Sequence, residues 1–280
     1  MTVVVLHLSD IHIRSKQDPI IANGQLIAAC VYQELPEASA VFIVVSGDIA
    51  YSGKHEEYEA AEGLFNQIKA TIVAEKNVPI HFVLAPGNHD CDFSLSGKPR
   101  LLTLNAVRDD PKQLDDEVIK LGVSVQVEFE SFAARLHSED ETRTGDPLWK
   151  KHRFSIEGKE IVFDTINVAW CSNIKEEAGS LIFPVDRYKD FGNESTDLRV
   201  SILHHPLNWF RQSTYHSFRQ LVRRVANVVV SGHEHVGGAG EDANTDTGHS
   251  AYIEGCVLQG ERNLAESSFN VVVFNLDEGT

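Results

Sequence analysis

Side chains that bind metal ions recur in this 280-residue sequence at one kind of position, the residues that directly follow a short apolar run. The set comprises Asp10, His12, Asp48, Asn88, His89, Asp90, His204, His205, His233 and His235. Carboxylate, amide and imidazole groups without cysteine favour cations such as Mn, Fe, Zn or Co. Ca and Mg suit this set less well, because they prefer oxygen ligands throughout. The pattern predicts a transition-metal site built from several loops.

The number of donor groups indicates two ions rather than one. Even seven of these ten residues would be too many ligands for a single tetrahedral centre. Such a set suits two ions roughly 3.5–4 Å apart that share a bridging carboxylate. Such a pair binds a phosphoryl group, lowers the pKa of a bridging water and stabilises the charge of an in-line displacement. The chemistry that these residues favour is hydrolysis of a phosphate ester.

The apolar runs that precede these residues have the pattern of buried strands. Runs 3–8, 41–45 and 80–84 are short and rich in apolar residues, which is typical of strands covered on both faces. Between them, 20–35 is predicted as a helix that ends before Pro36, and Tyr58, Phe65 and Ile68 mark the apolar face of a second helix. This alternation predicts a parallel βαβαβ start. The carboxyl ends of such strands form the ligand crevice of an α/β sheet.

The later elements follow a less regular order. Residues 91–150 are predicted as a charged insertion with helices near 111–121 and 124–138. A hairpin over 153–156 and 160–166, strands at 198–203, 228–230, 251–253 and 269–276, and a helix at 214–225 are predicted to follow. The Gly-rich stretch 237–249 is expected to be a flexible loop, and the acidic runs 109–117 and 139–146 are expected to be solvated faces. We expect a single domain over 1–280. A chain that stops just after a strand-like run is also compatible with a fragment of a longer protein.

The charge and the cysteine content limit the partners and the compartment. Lys and Arg number 25 and Asp and Glu number 41, a formal net charge of −16, which repels long nucleic acids but not a small phosphorylated substrate held by metal ions. The four cysteines have no CxxC spacing, so neither a zinc ribbon nor a thioredoxin-like site is indicated and a reducing compartment is expected. No basic leader and no run of about 18 apolar residues is present. We therefore expect a cytoplasmic protein without a membrane segment, and the sequence carries no signal of its oligomeric state.

Five motifs in a fixed order carry a resemblance to a known family. They are Asp10-x-His12, Gly47-Asp48, Gly87-Asn88-His89-Asp90, His204 and Gly232-His233-x-His235. Together they cover about residues 5–236 and resemble the five-block signature of calcineurin-like metallophosphoesterases. The resemblance implies an α/β fold in which two mixed β-sheets form a four-layer α/β/β/α sandwich.

The resemblance also implies a role for each residue. One metal ion would be held by Asp10, His12 and His235. The second would be held by Asn88, His204 and His233, and Asp48 would bridge the two. His89 resembles the imidazole that contacts the phosphoryl oxygen and protonates the leaving group, and Asp90 resembles its orienting partner. Such a proton donor must stay unligated, because a ligated imidazole nitrogen has no proton to give.

Three residues beside the motifs have two interpretations each. Tyr51, in GDxxY, is similar to the tyrosine that binds ferric iron in purple acid phosphatases, but those enzymes lack the histidine of the first motif. Since His12 is present, Tyr51 is predicted to be a wall of the site or a partner of a ligand. His205 is predicted to lie outside the ligand set, with contact to the substrate or to a ligand as the alternative. Cys91 is predicted to be a packed thiol, with redox sensing as the alternative.

The motif sequences also narrow the substrate. GDIAYSG differs from the GDxVDRG of protein Ser/Thr phosphatases, whereas SDIH, SGDIA, PGNHD, LHHPL and GHEH resemble small and cyclic-nucleotide phosphodiesterases. We therefore predict that a metal-bridging hydroxide attacks a small phosphodiester in line. The alternatives are a nucleotide phosphomonoesterase or pyrophosphatase, and a DNA or RNA nuclease module. The groove of such a nuclease would use Arg100, Arg108, Arg211 and Arg219. A non-catalytic scaffold is disfavoured, because every ligand is present.

Substrate choice is expected to depend on the segments 91–150 and 170–196, which carry no motif. Candidates for stacking a base, each also suited to the core, are Trp170, Phe183, Trp209 and Tyr215.

Overall fold

Two β-sheets that pack face to face form the centre of the molecule. The computed structural model describes residues 1–244, 247–259 and 267–278. The strands are β1 (Thr2–Leu8), β2 (Ala38–Val45), β3 (Ile80–Leu84), β4 (Thr142–Gly145), β5 (Trp149–Ile156), β6 (Lys159–Ile166), β7 (Leu198–Leu203), β8 (Val228–Ser231), β9 (Gly238–Asn244), β10 (Gly248–Glu254) and β11 (Asn270–Asn275). The helices are α1 (Gly24–Ala29), α2 (His55–Glu75), α3 (Lys98–Asp109), α4 (Asp116–Val123), α5 (Val127–Arg135) and α6 (Gln212–Val225).

Each sheet has a parallel part and antiparallel edge strands. The first sheet has the order β11-β1-β2-β3, and β11 is its antiparallel strand. The second has the order β4-β5-β6-β7-β8-β10-β9, in which β6, β7, β8 and β10 are parallel neighbours. Because parallel strands end at the same edge, the loops after β1, β2 and β3 leave one sheet together, and those after β7 and β8 leave the other together.

The alternation of side chains along the strands divides the core into layers. In β1, Val3 and Val5 pack between the sheets, whereas Val4 packs against the helices on the outer face. Phe42 of β2 crosses the interface between the sheets, with its ring centroid 4.6 Å from that of Phe163 in β6. Helices α1, α2 and α5 cover the first sheet, and α3, α4 and α6 cover the second. The predicted four-layer α/β/β/α sandwich is therefore confirmed.

The predicted strands and the β5–β6 hairpin are confirmed, but one helix prediction needs correction and one helix was missed. The helix predicted over 20–35 is a 3₁₀ turn at Pro19–Asn23 followed by the short α1. It ends early because the chain must turn to enter β2, which begins at Ala38. Helix α3 was not predicted; it buries Arg100, Leu104 and Val107, and its charged surface conceals that face in the sequence.

Two stretches expected to be solvent-exposed loops or faces are structured. The Gly-rich stretch 237–249 forms the antiparallel strands β9 and β10; residues 245–246 lie outside the described part of the chain. Backbone pairing of β10 with β8 organises it despite its poor apolar content. The acidic run 139–146 contains β4 and the buried Glu141, whereas the run 109–117 is largely exposed, as predicted.

Among the described residues, the longest and most apolar helices still fall short of what a bilayer-spanning segment requires.

Candidate metal centre

The loops after β1, β2, β3, β7 and β8 meet where the two sheets end. They bring the predicted ligands within reach of one another, in overlapping groups whose donor atoms lie within 4.8 Å. After β1, β2 and β8 the chain passes through left-handed residues: φ lies between 52° and 75° at Asp10, His12, Asp48, His233 and His235. Non-glycine residues rarely adopt this conformation, and where they do, the strain often accompanies function.

Two glycines of the motifs are needed because their backbones approach the ligands closely. A Cβ atom at Gly47, whose φ is +104°, would lie 2.5 Å from Nδ1 of His204. A Cβ atom at Gly87 would lie 2.1 Å from Oδ1 of Asp48. Any larger residue at either position would displace a ligand, which explains why the ligands follow glycine in Gly47-Asp48 and Gly87-Asn88.

One group of donors surrounds the carboxylate of Asp10. Its Oδ1 lies 3.1 Å from Nε2 of His235 and 3.8 Å from Nε2 of His12. Its Oδ2 accepts hydrogen bonds from the Ser9 hydroxyl and from the backbone N–H of His233. Asp10 and His12 are buried, whereas His235 reaches in from the solvent side. These are the three residues that the resemblance assigns to the first ion.

A second group surrounds Nε2 of His204. Oδ2 of Asp48, Oδ1 of Asn88 and Nδ1 of His233 each lie 3.2 Å from this nitrogen. Nδ1 of His204 faces the backbone carbonyl of Ser46 at 2.8 Å, and a carbonyl only accepts, so Nδ1 carries a proton. The resemblance assigns these residues to the second ion, with Asp48 between the two groups.

This arrangement suits a cation. A single proton on His204 Nε2 has three possible acceptors around it at the same distance, and it satisfies one of them at a time. A metal ion accepts all of these lone pairs together. The donor types, imidazole nitrogen with carboxylate and amide oxygen, match the transition metals expected from the sequence.

The electrostatics of the site reflect burial opposed by charge pairing. Burial on its own raises the pKa of Asp48 and lowers that of His204. Their attraction for each other reverses both effects, so the pKa of Asp48 lies below its usual value and that of His204 rises to about 10. Burial, together with His204 and His205, lowers the pKa of His233 to about 2. In the protein without metal, the His204 imidazolium and the Asp48 carboxylate thus form an ion pair at the centre of the site.

His89 lies beside the ligands and is held at its other ring nitrogen. Its ring centroid lies 4.7 Å from that of His12, and its Nδ1 donates to the backbone carbonyl of Tyr51 at 2.7 Å. Its backbone N–H donates to Oδ1 of Asp48 at 2.8 Å. Because Nδ1 is held as a donor, Nε2 is the nitrogen that can exchange a proton with a substrate.

The orienting role predicted for Asp90 needs correction. Its carboxylate accepts from the backbone N–H groups of Asp48, Ala50 and Gly87 at 2.8–3.0 Å, and from the hydroxyl of Tyr58 at 2.9 Å. Asp90 therefore ties the loop after β2 to the loop after β3, and the Tyr51 carbonyl orients His89. Burial, and after it the negative charge of Asp48, raises the pKa of Asp90 to about 6.

Residues beside the motifs form the walls of the site. The ring of Tyr51 lies between Arg14, whose guanidinium carbon is 4.0 Å from the ring centroid, and His89 at 5.3 Å. His205 is buried, and its Nε2 pairs with Glu176 at 2.9 Å. Its ring lies 4.2 Å from that of His233. Cys91 is a buried thiol, as predicted.

Sequence reasoning missed two contacts that support the ligand loop after β8. Trp209 lies edge-on to His233 with a centroid distance of 4.2 Å, and its Nε1 donates to Glu234 at 3.1 Å. The sequence suggests Trp209 only as a candidate for stacking a base or for the core. Nothing in the sequence marks Glu176 as the partner of His205. Trp170 and Phe183 are core residues, whereas Trp209 and Tyr215 are partly exposed.

The arginines proposed for a nucleic-acid groove are engaged within the fold. Arg100 is 1% exposed and donates to the backbone carbonyls of Gly122, Trp170 and Ser172. Arg108 and Arg211 also donate to backbone carbonyls. Through these carbonyls the three guanidinium groups hold loops in place.

Comparison with known proteins gives a consistent picture. A family model described as calcineurin-like phosphoesterase matches residues 3–237. The chain is 23% identical over 298 residues to the metallophosphoesterase-like protein YydB of Bacillus subtilis (strain 168), in an alignment that covers all of this chain and 58% of YydB.

The solved structures to which the chain is similar are more distant in sequence. PhoD is 10% identical, with a TM-score of 0.46 over 91% of this chain and 56% of PhoD. The phosphopantetheinyl hydrolase PptH from Mycobacterium tuberculosis is 12% identical, with a TM-score of 0.45 over 96% of this chain and 95% of PptH. The chain thus spans little more than half the length of YydB and of PhoD.

Proposed function

The chain belongs to the calcineurin-like phosphoesterase family, and we propose that it hydrolyses a small phosphodiester with the help of two metal ions. That it is a metal-dependent phosphoesterase follows from the family. The diester substrate, with a cyclic nucleotide as its representative, and the number of ions are the proposed parts. Each of the two metal ions would be Mn, Fe, Zn or Co, because all of these metals accept this set of ligands.

The observation that best supports two ions is the pair of donor groups joined at Asp48. Asp10, His12 and His235 form one group, and the atoms around Nε2 of His204 form the other. Asp48 faces His204 directly and also belongs to a group with His12 and His89. A carboxylate in that position suits a bridging ligand.

The protein's own residues would then position the substrate and move the proton. The two ions, when bound, neutralise the phosphoryl charge and acidify the attacking water. His89 would donate a proton from Nε2 to the leaving oxygen, since Tyr51 holds Nδ1. Asp48 fixes the backbone of His89, so that the proton donor and the ligands keep a constant separation. Asp90 keeps the two loops that carry them together.

Charge supports a small substrate over a nucleic acid. The net charge is −16. Arg100, Arg108 and Arg211 donate to backbone carbonyls, and Arg219 donates to the hydroxyl of Tyr215. A long polyanion needs many cationic contacts along its length, whereas a single phosphate needs only the local site. We also propose that the protein acts in the cytoplasm, where thiols such as the buried Cys91 stay reduced.

The first test replaces the proposed bridge. In Asp48→Asn the amide oxygen can still accept the backbone N–H of His89, but the charge that both ions share is lost. We expect most of one ion to be lost in elemental analysis of the reconstituted protein, and nearly all hydrolysis of bis(p-nitrophenyl) phosphate to be abolished. The same change at the exposed Asp109 serves as the control.

Normal metal content and rate in Asp48→Asn would contradict the bridging role.

The second test compares rates of hydrolysis over a panel of cyclic mononucleotides, dinucleotides, nucleoside triphosphates and short oligonucleotides, which identifies the substrate class. Faster cleavage of the oligonucleotides than of every small diester would overturn the proposed substrate class in favour of a nuclease.

A further inference from the structure

A pocket of about 320 Å³ opens directly beside His89 and Asn88. It is formed by segments 51–54 after β2, 88–94 after β3 and 173–174 after β6. Residues 91–94 and 173–174 belong to the stretches in which the sequence shows no motif. The volume lies at the lower end of small-molecule sites, which run from roughly 300 to 1,000 Å³. It is large enough for one substituent of a phosphate ester.

The walls of this pocket are aromatic and apolar. Tyr51 and Phe93 line it and are partly buried, and Tyr51 is fixed between Arg14 and His89. Ile174, at its mouth, is 79% exposed. An exposed apolar side chain next to an aromatic wall offers apolar surface that a flat organic group can cover.

The charged groups of the pocket neutralise one another. Nζ of Lys54 lies 2.6 Å from Oδ1 of Asp92 and 2.8 Å from the hydroxyl of Ser94. Although burial opposes it, this pairing holds the pKa of Asp92 below its usual value. A carboxylate or phosphate placed here would have to compete with Asp92 for Lys54, whereas hydroxyl and amide groups can bond to either partner.

We infer that this pocket, formed by Tyr51, Lys54, Asp92, Phe93 and Ile174, binds an uncharged, flat ester substituent of the substrate, such as a nucleoside or an aryl group. The inference rests on the proposed function, because the phosphoryl group must lie at the neighbouring donor groups. It excludes substrates that carry a second anionic group on that substituent. A phosphodiester of a nucleoside therefore fits the site better than a nucleoside diphosphate.

Binding of three phosphonates to the metal-loaded protein, measured by calorimetry, tests the inference without turnover. Phenylphosphonate should bind roughly tenfold more tightly than methylphosphonate, a difference of about 1.4 kcal/mol. Phenylphosphonate should also bind more tightly than 4-carboxyphenylphosphonate. Equal affinities for phenyl and methyl would overturn the inference. If none of the three binds and bis(p-nitrophenyl) phosphate is not hydrolysed, the proposed function itself fails.

Two variants separate the pocket from a general effect of the surface. Ile174→Ser should reduce the preference for phenyl over methyl by about threefold. Val236→Ser, a matched change at an apolar residue that is 68% exposed beside His235 on another loop of the site, should leave the preference unchanged. An equal loss of preference in both variants would contradict the assignment.

A change of charge supplies the second test. Asp92→Asn keeps an oxygen that can accept the backbone N–H of Ser94 but leaves Lys54 without its counter-ion. We expect the affinity for 4-carboxyphenylphosphonate to rise by about tenfold relative to phenylphosphonate. If Asp92 had only a structural role, its replacement would weaken the binding of both ligands alike. That result would contradict the proposal that Asp92 neutralises Lys54 in the pocket.

Discussion

At the scale of single residues, the hydrogen-bond partner of one ring nitrogen determines that the other ring nitrogen of each imidazole faces the site. The carbonyl of Ser46 accepts from Nδ1 of His204, so Nε2 is the nitrogen that faces the other candidate ligands. The carbonyl of Tyr51 holds Nδ1 of His89, so Nε2 is left to exchange a proton. The same kind of backbone contact thus leaves one imidazole nitrogen among the candidate ligands and the other beside them, and for this reason we propose different roles for the two histidines.

Removal of the His89 imidazole should affect substrates according to their leaving groups. His89→Ala should keep both ions and slow hydrolysis by roughly 10²–10⁴ for alkoxide leaving groups, which need a proton. The deficit should shrink for p-nitrophenolate, which leaves without one. Measured values of kcat/KM for the two kinds of diester check this expectation.

Tyr51→Phe is the matched control, because the bond to His89 comes from the backbone carbonyl and survives the change. It should leave the dependence on the leaving group intact. A deficit in His89→Ala that is equal for both leaving groups would contradict the role of proton donor.

At the scale of elements, the short edge strand β4 is attached to the second sheet through a buried carboxylate. Glu141, next to β4, lies 2.5 Å from Nδ1 of His152 in β5 and 2.8 Å from Nδ1 of His137 after α5. Arg143 donates to the same carboxylate at 3.0 Å. Burial raises the pKa of Glu141, but His152, and after it Arg143, lower it to about 2.

This carboxylate should make the stability of the protein depend on acid. The folded pKa of about 2 lies below the ordinary value of 4.5, so the contribution of Glu141 is present above pH 4.5 and is lost as the pH falls toward 2. Glu141→Gln should lower the free energy of unfolding by roughly 1–3 kcal/mol at neutral pH. Urea unfolding of both proteins between pH 7 and pH 2 should show this difference shrinking in the acid range.

The exposed Glu139→Gln serves as the control and should unfold like the original protein throughout. A difference between the original protein and Glu141→Gln that stays constant from pH 7 to pH 2 would rule out the contribution of this carboxylate.

At the scale of the whole molecule, the candidate ligands connect both sheets. Those after β1, β2 and β3 belong to the first sheet, and those after β7 and β8 belong to the second. The apolar interface between the sheets holds the same two bodies together. A ligand that binds only the folded protein stabilises it by mass action, so metal binding should stabilise the contact between the sheets.

Metal removal should therefore lower the melting temperature. A free metal concentration of about 100 times its Kd adds roughly 2.7 kcal/mol of stability, which corresponds to several degrees in Tm for a chain of this size. Calorimetry with Mn²⁺ and with a chelator measures the difference, and it should be much smaller in Asp48→Asn. Identical melting temperatures with and without metal would contradict this stabilisation.

Much of the architecture and the identity of the candidate ligands could be predicted from local patterns in the sequence. Apolar runs followed at once by Asp, Asn or His residues identify strand ends, because a buried strand needs an unbroken apolar stretch. The same reasoning failed where a backbone ladder rather than side chains organises the chain, as in β9 and β10. It also failed at Glu141, a carboxylate in an acidic run that is buried because two histidines and an arginine pair with its charge.

What only the tertiary structure decided is the set of partners for each group. The bonds from Tyr51 to His89 and from Asp90 to three backbone N–H groups depend on how loops of different strands approach one another. The pocket beside His89 likewise combines segments 51–54, 88–94 and 173–174. A sequence carries the type of each donor and its place on a strand, but contacts between distant segments arise from packing, since many surfaces share the same local pattern.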